Sequence, residues 1–404
     1  MKAVVYHGSA DIRVEEVPEP KLTEPTDAIV RLTSSAVCGT DLHMVRGTMP
    51  GMREGTILGH EGVGIVEEVG QYVRNLRPGD RVIIPSTIAC GSCSYCRAGY
   101  YAQCDNANPR GSRAGSAFFG GPEETGPFDG LQAEYARVPY ANVGLVPVPD
   151  SVSDDQAIML SDIYPTGWFG AKLAEVTPGD TVAVFGAGPV GQFAVLSAFQ
   201  QGAGRVLVVD GIVSRLAGAR ALHAETVNFN EEDPVETILE MTRGVGVDRA
   251  IDAVGVDAQH PSAGPAVPDA EADETFAAER DAATAGGAHP DGDTWVPGDA
   301  PSQVTRWSAE AVAKAGSIGV VGLYPPTLNA YPIGVALNRN LTIKLGICHH
   351  RRYIPELLAM VEAGTVDPAQ VITQHQPVSS ALDAYQAFDR RETGWTKVVL
   401  DPAA

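Results

Sequence analysis

Along the first 150 residues, apolar and polar positions alternate in short bursts separated by glycine and proline. Residues 3–6 (AVVY), 28–32 (AIVRL) and 81–84 (RVII) are such bursts, and they predict short strands joined by turns, hence a β-rich unit. From about residue 181 the rhythm changes. Apolar runs at 181–185, 205–209, 226–229, 249–252 and 317–321 read as strands, with helical periodicity between several of them. That alternation predicts a parallel sheet covered on both faces, so the fold class is α/β beside a β-rich unit. After an apolar run at 341–346, the pattern gives a helix near 353–362, another near 379–389 and a last strand at 397–400.

Residues 257–300 break this pattern. They hold ten Asp or Glu, one Arg and five Pro among many Ala and Gly, a local charge of 1 − 10 = −9. The segment reads as an insertion in the α/β unit, a solvated or partly disordered surface loop in preference to a functional lid.

Composition narrows the partners more than the fold. With 44% hydrophobic and 20% charged residues in 404, the chain is globular and long enough for two or three domains. A net charge of −21 argues against nucleic acid or an anionic membrane as partner. The one long uncharged stretch, 181–199, contains Gly186, Gly188, Pro189, Gly191 and Gln192, so it reads as a buried strand–turn–helix and not as a membrane span. The N-terminal twenty residues turn acidic and proline-bearing too early for a secretory signal, so the expected location is cytoplasmic.

Two motifs carry chemistry on their own residues. Cys90, Cys93, Cys96 and Cys104 give C-x2-C-x2-C-x7-C. Four thiolates at such spacing can close a tetrahedral shell around one structural zinc, as expected in a reducing compartment. An iron–sulfur cluster could use the same four sulfurs, but no electron-transfer motif accompanies them. Gly186-Ala-Gly188-Pro189-Val190-Gly191 follows a predicted strand, opens a helix, and is followed by a second strand ending at Asp210, nineteen residues after Gly191. That context makes it a dinucleotide fingerprint: Gly186 and Gly188 allow the tight turn and backbone approach to the pyrophosphate, and Gly191 allows close helix–strand packing. Asp210 would accept from the adenosine ribose and repel a 2′-phosphate, favouring NAD, while nearby Arg215 leaves NADP open.

Cys38-Gly-Thr40-Asp-Leu-His43, followed by Gly59-His60-Glu61-Gly62-Val63-Gly64, completes a set. With the tetracysteine run and GAGPVG, in this order, it resembles the zinc-dependent medium-chain alcohol dehydrogenase family across nearly the whole chain apart from 257–300. The resemblance implies a GroES-like β-rich catalytic domain from residues 1–155 completed by 345–404. It further implies a Rossmann doubly wound NAD-binding domain from 156–344, with the active site in the cleft between the two. Carried over by position, Cys38 and His60 are catalytic zinc ligands. Asp162 is the third, as in the branch resembling glutathione-independent formaldehyde dehydrogenase, and Glu61 is a carboxylate able to approach the metal. The implied cofactors are two zinc ions per chain and NAD. The implied substrate is a small alcohol or aldehyde. Thr40 would take the alcohol proton and pass it through the cofactor ribose to His43, which releases it near neutral pH. A homo-oligomer, dimer or tetramer, is implied as well. Three other readings are a formaldehyde dehydrogenase or dismutase that keeps NAD bound, a polyol or threonine dehydrogenase, and a catalytically silent zinc- and nucleotide-binding subunit. An intact metal set plus a proton path argues against the last. Met49, Phe119 and Trp168 are candidate pocket residues, and the His349–His350 pair beside Arg351 and Arg352 is placed near the cofactor phosphates.

Overall fold

The computed structural model describes residues 1–108, 110–111, 115–126, 128–287 and 292–404. Two sheets organise it. The first has six parallel strands in the order Glu225–Asn228, Arg205–Asp210, Thr181–Phe185, Val247–Asp252, Val312–Val320, Thr342–Leu345. Its inner strands are near-continuous runs of buried Val, Ile, Ala and Leu, as a sheet covered on both faces requires. Strand order reverses between Thr181–Phe185 and Val247–Asp252, and a crevice opens beyond their carboxyl ends at such a switch point. The helix Pro189–Gln200 starts there, with Gly188 as N-cap and Pro189 in its first turn.

The second sheet has seven strands. Ala28–Val37 and Gly62–Val69 form its centre in antiparallel register, with Arg81–Ile84, Val146–Pro147 and Tyr135–Val138 alongside. The chain returns at its end to add Gln374–Pro377 and Val398–Asp401, the latter pairing with Ala28–Val37. One apolar cluster joins the two parts: Ala36, Val63 and Ile83 of this sheet pack with Ile158, Leu160, Tyr164, Phe193, Ile354 and Leu357. The short helix Gly39–Arg46 leaves the end of Ala28–Val37, capped by Cys38, whose backbone N–H donates to Asp41 Oδ2 at 2.9 Å, and stops at Gly47 with φ +77°.

The expectation of a solvated loop at 257–300 is overturned for its described residues; 288–291 lie outside them. The segment contains the helix Ala270–Ala283, begun by Asp269, whose side chain accepts from Ala272 N at 2.9 Å. Phe276 is buried beneath the Arg306 guanidinium, and Glu279 receives Ser302 Oγ at 2.8 Å. Trp295 is buried in a cluster with Leu58, Phe118 and Tyr385 of the first part of the fold. Average composition concealed this because the acids divide by face: Glu271, Asp273, Glu274 and Asp281 meet solvent while Phe276 and Ala283 turn inward.

Candidate functional site

Cys38, the adjacent pair His60 and Glu61, and Asp162 are brought together from three places in the chain, each buried, with one donor atom apiece all within 4.8 Å of one another. His60 Nε2 is 3.1 Å from Asp162 Oδ2, and Cys38 Sγ is 3.8 Å from the same oxygen. Behind them, His60 Nδ1 meets Asp41 Oδ1 at 3.1 Å, so the ring presents its other nitrogen to the group. Asp41 is held in turn by Cys38 N and by Gln132 Nε2 at 3.2 Å. Glu61 Oε1 receives Lys397 Nζ at 2.6 Å, and both side chains are fully buried. Burial pushes Glu61 up to about 7 against the pull of Lys397. Its Oε2 is buried without a hydrogen-bond partner. The Cys38 thiol, the His60 imidazole and the Asp162 carboxylate are three donors of the kinds zinc takes and would leave a fourth position open, with Glu61 and its orphaned oxygen close to the group.

Cys90, Cys93, Cys96 and Cys104 form the second such group, again within 4.8 Å. Backbone N–H groups point at their sulfurs: Cys90 N at Cys104 Sγ (3.2 Å), and Ser92 N and Cys93 N at Cys90 Sγ (3.3 and 3.4 Å). For Cys90, hydrogen bonds from Ser92 and Cys93 outweigh burial and draw the thiol down to about 6, which favours the thiolate a metal takes. Four sulfurs and no other donor fit a closed structural zinc site.

A single cleft connects the first group to the glycine turn. Its wall includes Thr40, His43, Cys38, His60 and Asp162 together with Gly186, Gly188, Pro189, Val190, Asp210 and Arg215. Gly186 has φ +92°. Gly191 lies beneath the turn, where an added Cβ would stand 1.9 Å from Gly186 O. Asp210 Oδ2 accepts from Ala187 N at 2.7 Å and Oδ1 from Ile212 N at 2.8 Å, leaving lone pairs free for a ribose diol. The backbone cradle and this carboxylate fit a dinucleotide.

Other expectations are corrected. Met49, Phe119 and Trp168 pack in apolar clusters away from the cleft wall; Phe118, one residue earlier, lines it. The His349–His350 pair does not face a phosphate site. His350 Nε2 is 2.6 Å from Asp162 Oδ1 and its Nδ1 is 3.0 Å from Thr87 Oγ1, so it orients the third candidate ligand. His349 Nδ1 accepts from Ala102 N, inside the tetracysteine lobe, and Arg352 lies against Gly99 of that lobe. Sequence reasoning also missed Arg46, Asp257 and Arg391, all cleft-lining. For His350 the only signal was its place in the run Cys348-His349-His350-Arg351-Arg352 beside a predicted strand end.

Family models for an alcohol dehydrogenase GroES-like domain and for a zinc-binding dehydrogenase match residues 24–150 and 189–263. The chain is 38% identical, over the full length of both, to an uncharacterized zinc-type alcohol dehydrogenase-like protein, AdhB, of Bacillus subtilis. Over 64% of this chain and 66% of the relative, it is 40% identical to a glutathione-independent formaldehyde dehydrogenase of Pseudomonas aeruginosa. Among solved structures, alcohol dehydrogenase TADH from Thermus sp. ATN1 superposes with TM-score 0.78 at 33% identity, covering 99% of each chain. The chain therefore belongs to the zinc-dependent medium-chain alcohol dehydrogenase family and is an oxidoreductase.

Proposed function

We propose that the protein catalyses the reversible, NAD-dependent oxidation of a small alcohol to an aldehyde or ketone. The observation that carries this is the shared cleft, whose wall includes both the Cys38–His60–Asp162 group and Gly186, Gly188, Pro189 and Val190 of the glycine turn. Zinc bound at the first group would supply a Lewis acid for the alcohol oxygen, and NAD the hydride acceptor. Asp41 and His350 fix the orientations of His60 and Asp162. Thr40 lines the cleft one turn before His43 on the same helix, which supports a path in which Thr40 takes the alcohol proton and passes it toward His43 through a ribose hydroxyl. The four-cysteine lobe holds a second, structural zinc. Asp210 supports NAD over NADP.

The partners follow from the same reading: a small alcohol or aldehyde, no nucleic acid, and a second copy of the chain. An edge strand, Thr342–Leu345, with Leu345 exposed, and exposed Ile333 and Leu337 in the helix that precedes it in the chain, support the homo-oligomer. Among the described residues no helix is long and apolar enough to cross a membrane, and a cytoplasmic location suits the free thiols.

Zinc-replete protein assayed by NADH absorbance against a panel of alcohols and aldehydes tests the proposal. Turnover of at least one member, lost on Cys38→Ser, is the expected outcome. Absence of turnover with zinc and NAD demonstrably bound overturns it, and equal use of NADP removes the role given to Asp210. One observation favours a second reading, an enzyme that keeps NAD through turnover: the ordered insertion adds Asp257, Ala258 and Gln259 to the cleft wall. Aldehyde dismutation without added NAD is its signature.

A further inference from the structure

The inserted segment places its first residue against the end of the proton path. His43 is 6% exposed and lines the cleft. Its Nδ1 lies 2.8 Å from Asp257 Oδ2 and 3.2 Å from Thr48 Oγ1, while Nε2 has no hydrogen-bond partner among the described residues. Asp257 is itself immobilised. Its Oδ2 also receives Arg46 Nη1 at 2.9 Å and Thr48 Oγ1 at 3.3 Å, and its Oδ1 receives Gly298 N, from the far end of the same segment, at 3.0 Å. Arg46 continues to Asp389 at 2.7 Å, and Asp389 accepts from Trp295 N at 2.6 Å. The segment is thus closed on itself and fastened by Arg46 to the helix that carries Thr40 and His43. Burial alone would raise the Asp257 carboxyl, but His43 and Arg46 hold it far below the usual carboxylate range, so it is ionised.

We propose that Asp257 is a positioning residue for proton transfer, fixing His43 in the tautomer that carries its hydrogen on Nδ1. An ionised carboxylate only accepts, so the nitrogen facing it must donate. Nε2 is then the free base, presented to the cleft. In each oxidation one hydride leaves the alcohol carbon for NAD and one proton leaves its oxygen. The proton goes to Thr40 as Thr40 gives up its own, and the relayed proton arrives at Nε2. Asp257 stays ionised throughout and stabilises the imidazolium until the proton leaves for solvent. This inference rests on the proton path in the proposed function.

Asp257→Asn tests it with little change of shape. The amide oxygen can still accept from Gly298 N, while the amide nitrogen in the place of Oδ2 faces His43 as a donor and selects the opposite tautomer. Arg46 loses this acceptor and keeps Asp389, which is why a variant that weakens only the Arg46 fastening is needed beside it. The expected result is a fall in kcat of about 10²-fold with KM changed little, and partial recovery in Asp257→Glu. In cofactor-free protein, nitrogen-15 NMR of His43 should show hydrogen on Nδ1 in the native chain and on Nε2 in Asp257→Asn. Asp389→Asn loosens the same fastening without touching His43 and should lower kcat no more than about twofold. A native His43 protonated on Nε2 overturns the inference. So does an unchanged kcat in Asp257→Asn, or an equal loss in Asp389→Asn. His43→Gln separates the two levels. If it turns over at the native rate, the proton path itself fails; if it is slow while Asp257→Asn is fast, only the role of Asp257 fails.

Discussion

At the scale of single residues, what could be read from the chain was whatever repeats in a spaced pattern. The cysteine run was visible because metal ligation needs those atoms at short, regular separations, whereas Cys38 and His60, 22 residues apart, were visible only through the family resemblance that their motifs carry. Asp41, which meets His60, lies inside the same motif, but the side chains that complete the network were not visible, because they come from far along the chain. Gln132 reaches Asp41 over 91 residues and Lys397 reaches Glu61 over 336. Lys397 leaves one trace in the sequence, a lysine at the head of Val-Val-Leu in a strand otherwise apolar. Its burial has a stability consequence. Lys397→Met leaves Glu61 buried without its cation and should cost about 3 kcal/mol, seen as a lower thermal midpoint. Glu61→Gln in the same chain should recover most of that loss, since a neutral pair removes the unpaired charge. Additive losses in the double variant would show that the two side chains do not act as a pair.

Elements were legible where the period was clean and buried on one side. The strands at 181–185 and 81–84 match the observed Thr181–Phe185 and Arg81–Ile84, and the helix near 353–362 is the body of His350–Glu362. The helix Ala270–Ala283 escaped because only Phe276 and Ala283 are buried among fourteen residues, too few apolar positions to mark a face. Its Asp269 cap was there to be read. The start of His350–Glu362 was also missed, and it matters most there. His349, the N-cap, accepts from Ala102 N with Nδ1 and ties the tetracysteine lobe to this helix. Burial, with His350 and Arg352 alongside, pulls His349 down to about 4. The folded state therefore resists protonation while the unfolded chain takes a proton near 6.5, so stability falls as pH drops from about 6.5 to about 4 and then levels. His349→Gln keeps an acceptor without a titrating ring. The difference in thermal midpoint between native and variant should accordingly change across that window and be constant above pH 7. A constant difference from pH 7 to pH 4 would mean that His349 does not titrate as this bond requires.

On the scale of the whole molecule, the net charge of −21 stated nothing about architecture, and 9 of those negatives belong to a segment that is folded against the cleft. What composition did not show is where the proposed second copy would dock. The parallel sheet ends at Thr342–Leu345, whose outer edge has no neighbouring strand among the described residues. Leu345 is 70% exposed, and Ile333 and Leu337 of the preceding helix are 76% and 77% exposed. An open edge with an exposed Leu345, following a helix that exposes Ile333 and Leu337, is the surface a second copy would cover under this proposal, because a two-fold axis there would pair the edge with itself. Leu337→Glu adds like charges facing each other across such an axis. If the edge is the interface, this single change should move the particle toward the 42.4 kDa of one chain in light scattering at micromolar concentration, while a charge placed at exposed Tyr72, in the other part of the fold, leaves the mass unaltered. A native protein that already runs at the mass of one chain would leave the exposed leucines without this role.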